Sequence, residues 1–278
     1  MKKINMVDLQ GQYKKIRSEV NREIKKVLKS ATFINGPIVK EFELNLKDFL
    51  GTKNVIPCAN GTDALQIAIM SLNLKQGDEV IIPAFSYISV IEVVCILGLV
   101  PVLVDIDPLT FNLDSKKIKG ALSSKTKLII PVHLFGQNSD MESIKDIAKK
   151  NNIFVIEDVA QSINASITFS NKKKYNSGTI GNIGCFSFFP TKNLSCYGDG
   201  GAIITNNSSL AKKISMIKNH GQTKKYFHNI IGMNSRLDTL QAAILNIKLK
   251  YLNKENLRRR KNASIYNAKL PFIKDIIV

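Results

Sequence analysis

The sequence is poor in cysteine and histidine, with four and three residues respectively, and it has no long uninterrupted apolar run. The cysteines are Cys58, Cys95, Cys185 and Cys196. They form no CxxC pair and show no metal-type spacing with the histidines, so we expect free thiols and no metal site. The most apolar stretch, residues 90–104, is interrupted by Glu92, Gly98 and Pro101. Because a bilayer-crossing helix needs about 20 apolar residues, we expect no transmembrane segment.

Acidic residues are also scarce, since 22 aspartates and glutamates stand against 40 lysines and arginines and give a formal net charge of +18. Such an excess can indicate nucleic acid, an anionic membrane surface or anionic small substrates. The basic residues are scattered, however, with short runs at 172–174 and 258–261 and no basic stripe interleaved with aromatics. We therefore favour solvated surface lysines, with no nucleic-acid or membrane partner, although part of the excess remains available for anionic substrates.

A secretory signal is missing as well, because Met1-Lys2-Lys3 leads into polar and charged residues. Together with the expected free thiols, this predicts a cytoplasmic location. A length of 278 residues with 44% hydrophobic content suits one large α/β domain and part of a second lobe. No internal repeat or low-complexity linker divides the chain.

What the sequence does contain is an alternation of strand-like and helix-like segments. Seven short β-rich segments lie at residues 54–57, 80–83, 101–105, 128–133, 153–157, 185–189 and 202–205. Amphipathic stretches such as 63–72, 86–97 and 141–150 separate several of them. The strand segments are almost continuously apolar, which is typical of a sheet buried on both faces. The pattern predicts an α/β fold with a mostly parallel, doubly wound seven-stranded sheet between layers of helices.

A long helical pattern without glycine or proline follows, from residue 235 to about 269. We expect it to connect the sheet domain to a second lobe. The predicted division is a large domain with an N-terminal segment over residues 1–245, and a connecting helix with the start of a small domain over 246–278.

Three elements that carry candidate functional residues follow predicted strands, and ligands bind at the carboxyl ends of strands in open parallel sheets. The first is the turn around Gly61 and Thr62. Gly61 permits a close backbone approach, Thr62 can cap the following helix, and exposed amides at a helix start attract a phosphate. Any turn between a strand and a helix can carry such a pair, but Ser187 would add a second hydroxyl.

The other two elements carry Asp158 and Lys192. Asp158 could be a metal ligand, a helix cap or a satisfied polar group, and Lys192 could be a surface lysine. Lys192, however, stands between a phenylalanine-rich strand and a glycine-rich turn, which argues against a solvated face. A lysine for a Schiff base and a carboxylate for a ring nitrogen are what pyridoxal phosphate (PLP) requires. The pair therefore indicates PLP chemistry.

Several segments carry a family resemblance, and they follow one another in the family's order up to about residue 270. The matching segments are 60–65, 77–81, 104–107, 157–162, 187–194, 198–202 and 232–238. On these motifs the chain resembles the DegT/DnrJ/EryC1/StrS family of fold-type I PLP-dependent sugar aminotransferases. Residues 58–66, 220–222 and 234–245 most resemble the members that aminate UDP-linked 3-keto-hexuronic acids in surface-polysaccharide and lipopolysaccharide pathways.

The resemblance implies a role for each matching site residue. Lys192 would be the Schiff-base lysine and Asp158 the partner of the pyridine nitrogen. The cofactor contacts would be Gln161 near the ring hydroxyl, Tyr87 against the ring face, and Gly61, Thr62 and Ser187 at the phosphate. Asn234 would reach the phosphate from the second subunit of a homodimer. Arg236 would contact a substrate carboxylate, with a helix-start salt bridge as its alternative role.

The histidines receive no catalytic role: His133 could line the cleft or be a satisfied strand-end residue, His220 could line the cleft, and His228 is placed on the surface. The implied reaction is ping-pong transamination, with L-glutamate as amino donor and a nucleotide-linked, UDP-type 3-keto sugar as acceptor.

Three other functions were weighed against this one. Family members continue into a larger C-terminal lobe, and the chain ends at Val278. We therefore expect this small lobe to be truncated, and an impaired or noncatalytic remnant is one alternative. A PLP-dependent sugar dehydratase of the same fold is disfavoured, because those relatives carry histidine where Lys192 stands. A nucleic-acid binder is suggested by charge alone.

Overall fold

The computed structural model describes residues 7–273 as an α/β fold built around one seven-stranded sheet. The strands are β1 (Asn54–Cys58), β2 (Glu79–Pro83), β3 (Val100–Val104), β4 (Thr126–Ile129), β5 (Phe154–Asp158), β6 (Ser166–Thr168), β7 (Lys174–Asn176), β8 (Ile183–Ser187), β9 (Gly201–Thr205), β10 (Gln222–Lys224) and β11 (Phe227–His228). The pairs β6–β7 and β10–β11 form two separate hairpins. The other seven strands correspond to the seven predicted from the apolar segments, except that the fourth spans Thr126–Ile129 and not residues 128–133.

Two helices precede β1, five lie in connections between strands, and one follows β11. They are α1 (Leu9–Ser30), α2 (Pro37–Leu50), α3 (Gly61–Ser71), α4 (Ser89–Ile96), α5 (Ser115–Ala121), α6 (Met141–Asn151), α7 (Ser208–Ile217) and α8 (Thr239–Lys269), with short 3-10 turns at Leu134–Gly136 and Leu270–Phe272. The predicted long helix begins at residue 239 and not at 235. The reason is that Asp238 has an extended backbone and pairs with Ile34 in an isolated β-bridge, so the helix cannot start earlier.

The strand order in the sheet is β1-β9-β8-β5-β4-β2-β3. Every neighbouring pair is parallel except those of β9, which runs antiparallel to both β1 and β8. The prediction of a mostly parallel seven-stranded sheet is confirmed. Because β1, β5 and β8 all run in the same direction, their last residues, Cys58, Asp158 and Ser187, lie along one edge of the sheet.

Both faces of the sheet are covered, and alternate residues of each strand enter different cores. On one face Ile56, Ile156 and Ile203 pack with α3, α4 and α7. On the other face Val55 and Ile204 pack with α2 and α8, while Ile129 and Val155 pack with α5 and α6. This burial on both sides explains why the strands are apolar at nearly every position.

The helix α8 crosses the predicted domain boundary at residue 245 without a break, and Leu249 and Leu252 beyond it still pack in the α2 core. The division into residues 1–245 and 246–278 remains our proposal. Its outermost residues, 1–6 and 274–278, lie outside the described range. Within 7–273, none of the helices combines the length and apolarity needed to span a membrane.

Candidate active site

A cavity of about 740 Å³ opens at the carboxyl ends of β1, β5 and β8. Most of the site residues predicted from the sequence line it: Gly61, Thr62, Tyr87, Asp158, Gln161, Ser187 and Lys192. Other lining residues were not predicted, among them Asn60, Phe189, Thr191 and Asp199. Each of these four lies within or next to a motif noted in the sequence, and this position is the feature from which they could have been predicted.

One wall is the junction between β1 and α3. The Asn60 side chain accepts a hydrogen bond from the Asp63 backbone N–H at 2.8 Å and caps the helix. The predicted cap by Thr62 is therefore wrong, because α3 already begins at Gly61 and Thr62 is its second residue. The first N–H groups of a helix have no intrahelical acceptor, and they favour an anion at this end.

Gly61 brings this helix start against the end of β8. A Cβ atom on residue 61 would lie 2.6 Å from the Cβ of Ser187, which is closer than real Cβ contacts occur. Glycine is therefore required for the approach, as predicted, and it places the Ser187 hydroxyl beside the α3 N-terminus. The two elements together form a cradle with a hydroxyl, free amides and a helix dipole, which suits a phosphate group.

Asp158 is the last residue of β5 and is buried, with 7% of its surface exposed. Its Oδ1 accepts a hydrogen bond from the Ala160 backbone N–H at 2.9 Å. Burial raises the pKa of Asp158, and this hydrogen bond together with the charge of Lys192 works in the opposite direction. The Oδ2 atom accepts no hydrogen bond within residues 7–273 and remains available for a cationic donor such as a ring N–H.

Lys192 lies in the loop after β8 and is half-buried. Its backbone N–H donates to the Phe189 carbonyl at 2.8 Å, which closes a tight turn. Burial lowers the pKa of Lys192, and the negative charge of Asp158 partly offsets that effect. Lys192 is therefore not an ordinary surface lysine, and its amine is closer to the neutral, nucleophilic form than a solvated lysine would be.

His133 is completely buried and belongs to a polar network behind Asp158. The Ser139 backbone N–H donates to His133 Nδ1 at 3.2 Å, so Nε2 carries the proton and donates to Glu157 Oε2 at 2.9 Å. The His133 backbone N–H also donates to the Asp158 carbonyl at 3.0 Å. Of the two alternatives for His133, the satisfied strand-end residue is the one observed.

Glu157 was not singled out from the sequence, although it adjoins Asp158 on β5. It is completely buried, and its two oxygens accept hydrogen bonds from the backbone N–H groups of Gly178, Ile180 and Gly181 at 2.6–2.8 Å. The carboxylate thus ties the β7–β8 connection and His133 to the strand that carries Asp158.

The remaining predicted residues lie outside this cavity. Asn234 is exposed and pairs with Asn219 in an isolated β-bridge, and its proposed contact from a second subunit stays a prediction. Arg236 is half-buried, and within residues 7–273 it forms no ion pair, so the alternative salt bridge to Asp238 is not observed. His228 is exposed, as predicted, and its Nδ1 lies 2.9 Å from the carbonyl of His220.

These features fit PLP. The Gly61–Ser187 cradle suits its phosphate, the free oxygen of buried Asp158 suits its ring nitrogen, and the half-buried amine of Lys192 suits its aldehyde. The site is that of a PLP-dependent α/β enzyme.

Comparison with known proteins assigns the chain to a family. Residues 14–277 match the DegT/DnrJ/EryC1/StrS aminotransferase family, and the chain belongs to it. It is 49% identical to the UDP-2-acetamido-2-deoxy-3-oxo-D-glucuronate aminotransferase of Pseudomonas aeruginosa, a similarity that covers 96% of this chain and 73% of that protein. It is 41% identical to the UDP-N-acetyl-3-dehydro-alpha-D-glucosamine 3-aminotransferase of Acidithiobacillus ferrooxidans, over 95% of this chain and 70% of that protein.

A solved structure gives the same result. The structure of NtdA from Bacillus subtilis with bound cofactor PMP superposes with a TM-score of 0.90 at 35% identity, over 99% of this chain and 62% of that one. The predicted family, the fold-type I architecture and the PLP cofactor are confirmed. The chain is an enzyme of the sugar aminotransferase class, and it is shorter than these relatives.

Proposed function

We propose that this enzyme transfers the amino group of L-glutamate to the 3-keto group of a UDP-linked sugar, in the biosynthesis of amino sugars for surface polysaccharides. The observation that carries the proposal is the cavity that brings the Lys192 amine and the buried Asp158 carboxylate together. The charge of each group shifts the pKa of the other. The similarity to the Pseudomonas enzyme, whose name specifies a UDP-linked 3-oxo sugar, supports the substrate. The proposed acceptor is a 3-keto-hexuronate of that kind.

Specific residues would hold the cofactor. Gly61, Thr62 and Ser187 would bind its phosphate at the α3 N-terminus, Gln161 would contact the ring hydroxyl, and Tyr87 would cover the ring face. Bound PLP supplies an electron sink for the carbanion that forms when the amino donor loses its α-proton. Asp158 would keep a proton on the ring nitrogen, because a buried carboxylate stabilises an adjacent N–H cation.

Lys192 would act in the two roles that its environment allows. Its pKa is lowered by burial, so a larger fraction of its Nζ is unprotonated and nucleophilic than in a solvated lysine. Once displaced by the amino donor, the same nitrogen would accept the α-proton of glutamate and return a proton during amino transfer. The hydrogen bond from the Lys192 backbone N–H to the Phe189 carbonyl holds the backbone from which this side chain extends into the cavity.

The substrate contacts are a further part of the proposal. Arg236 has no ion-pair partner within residues 7–273, which leaves its guanidinium free for the carboxylate of a hexuronate. Asn234 is exposed and would complete the phosphate site of a second subunit in a homodimer. The glutamate donor, the homodimer and the cytoplasmic location are proposed on the family resemblance.

The test is product analysis by mass spectrometry. The chain with PLP and glutamate is incubated with UDP-, dTDP- and GDP-linked 3-keto sugars, and amino sugar nucleotides and 2-oxoglutarate are quantified. The proposal predicts equal amounts of both products, with the UDP-linked hexuronate as the preferred acceptor and no product from Lys192→Ala. Preference for a dTDP- or GDP-linked sugar, or a deoxygenated sugar product without nitrogen, would contradict it.

A further inference from the structure

A second cavity adjoins the PLP cavity and shares Gln161, Thr191 and Lys192 with it. Its volume is about 560 Å³, and its other walls come from the 3-10 turn at Leu134–Gly136, from the segment after β5 and from α8. The α8 residues that line it are Asn256, Arg259, Arg260 and Ala263. Their spacing of three, four and seven residues places them on one face of the helix. A ligand in the PLP cavity can therefore extend along this face of α8.

The second cavity is strongly cationic. Arg259 and Arg260 line it, and its lining includes no aspartate or glutamate. Within residues 7–273 neither arginine forms an ion pair, whereas the neighbouring Arg258 pairs with Glu255 at 2.7 Å. Two adjacent guanidinium groups without a carboxylate partner attract an anionic ligand, and arginine matches phosphate with paired hydrogen bonds.

A hydrogen bond fixes the position of α8 relative to Lys192. The Asn193 side chain, next to Lys192, donates to Asn256 Oδ1 at 2.9 Å and holds this face of α8 beside the lysine loop.

We propose that the second cavity binds the diphosphate of the nucleotide-linked substrate, with Arg259 and Arg260 as its charged ligands. This proposal rests on the proposed function, in which the keto carbon must reach Lys192. The PLP cavity itself is lined by Asp63, Asp158 and Asp199, whose charges disfavour a second anionic group beside the cofactor phosphate. The adjoining cationic cavity offers the sugar's diphosphate a favourable place within reach of Lys192.

The experiment is calorimetric titration of the full 278-residue chain, without PLP, with UDP. Arg259→Ala and Arg260→Ala are each expected to raise the Kd for UDP by roughly 10-fold, which is the loss of one charged hydrogen-bonding partner. Lys261→Ala is the matched control, because this exposed residue carries the same charge in the same helical turn but lines none of the cavities described here. The Kd of Lys261→Ala for UDP should stay within about twofold of the value for the unmodified chain.

Inorganic pyrophosphate and glutamate serve as competitors. Displacement of UDP by pyrophosphate but not by glutamate supports a diphosphate site. The proposal is overturned if the unmodified chain fails to bind UDP, if both arginine variants bind it normally, if Lys261→Ala weakens it equally, or if glutamate displaces it. The response of the PLP spectrum to glutamate is recorded separately. The spectral response to glutamate requires neither Arg259 nor Arg260. Failure of the diphosphate site and failure of the proposed function are therefore distinguishable.

Discussion

The Nζ atom of Lys248 lies 3.0 Å from the Oγ of Ser195, three residues after Lys192 in the chain. Lys248 is buried in α8 with 5% of its surface exposed, and its ammonium group stands 4.2 Å from the ring centre of Tyr197. The aromatic face attracts the ammonium group. The loss of hydration on burial outweighs this attraction. Burial lowers the pKa of Lys248 to about 8. The helix α8 therefore contacts the loop that carries Lys192 through a titratable group.

The pKa of Lys248 predicts how stability depends on pH. The group falls from its ordinary value of 10.5 to about 8 in the folded chain, so between these pH values the unfolded chain binds more protons. Stability therefore rises with pH across this window, by on the order of 3 kcal/mol from this group. Lys248→Met removes the titrating group, so the free energy of unfolding of this variant lacks this increase with pH. Relative to the variant, the unmodified chain should therefore become more stable between pH 8 and 10.5.

Urea unfolding at several pH values measures this difference. Lys250→Met is the control, because Lys250 is an exposed lysine of the same helix and should leave the pH dependence unchanged. Parallel stability curves for the unmodified chain and Lys248→Met would show that Lys248 titrates as in the unfolded chain.

Glu157→Gln should destabilise the fold. The substitution replaces one carboxylate oxygen by an NH₂ group, which then faces a donor: a backbone N–H or His133 Nε2–H. Loss of charged hydrogen bonds in a fully buried site predicts a decrease of about 3 kcal/mol in the free energy of unfolding. Glu41→Gln, at an exposed position, should change it by less than about 0.5 kcal/mol. Equal stability of the two variants in denaturant titration would refute a structural role for the Glu157 network.

Gly61→Ala tests the cradle between α3 and β8. The added methyl group would come within 2.6 Å of the Ser187 Cβ, so one of the two elements must move. We expect a loss of about 1–3 kcal/mol in stability and a roughly 10-fold weaker affinity for PLP, because the Ser187 hydroxyl leaves its position.

Gly120→Ala provides the comparison, measured by the same PLP titration and thermal unfolding. Gly120 lies in α5, where a new Cβ meets nothing within 4 Å. Alanine there should leave PLP affinity unchanged and raise stability by up to about 1 kcal/mol. If Gly61→Ala bound PLP with unaltered affinity, the cradle would not be part of the cofactor site.

Lys192 and Asp158 could be found from the sequence because each follows an apolar strand, and strand ends in a parallel sheet converge. The seven strands were found for the same reason, since burial on both faces makes each strand a continuous apolar run. These signals are local, so a single sequence contains them.

The supporting groups could not be found in this way. Glu157 binds backbone N–H groups about 20 residues further along the chain, and Lys248 meets Ser195 from a helix 53 residues away. Such contacts depend on how the elements pack, and no local pattern marks a buried glutamate or lysine. The helix cap was misassigned to Thr62 because Asn60, two residues earlier, has an equally suitable side chain.

The proposed function depends on two points: that Lys192 would hold PLP, and that glutamate would be the amino donor. The most direct test is the visible absorption spectrum of the purified chain with PLP, recorded before and after glutamate is added, for the unmodified chain, Lys192→Ala and the exposed control Lys212→Ala. The account predicts a band that is present in the unmodified chain and in Lys212→Ala, is absent from Lys192→Ala, and disappears with glutamate. A band that persists in Lys192→Ala, or one that glutamate leaves unchanged, would contradict it.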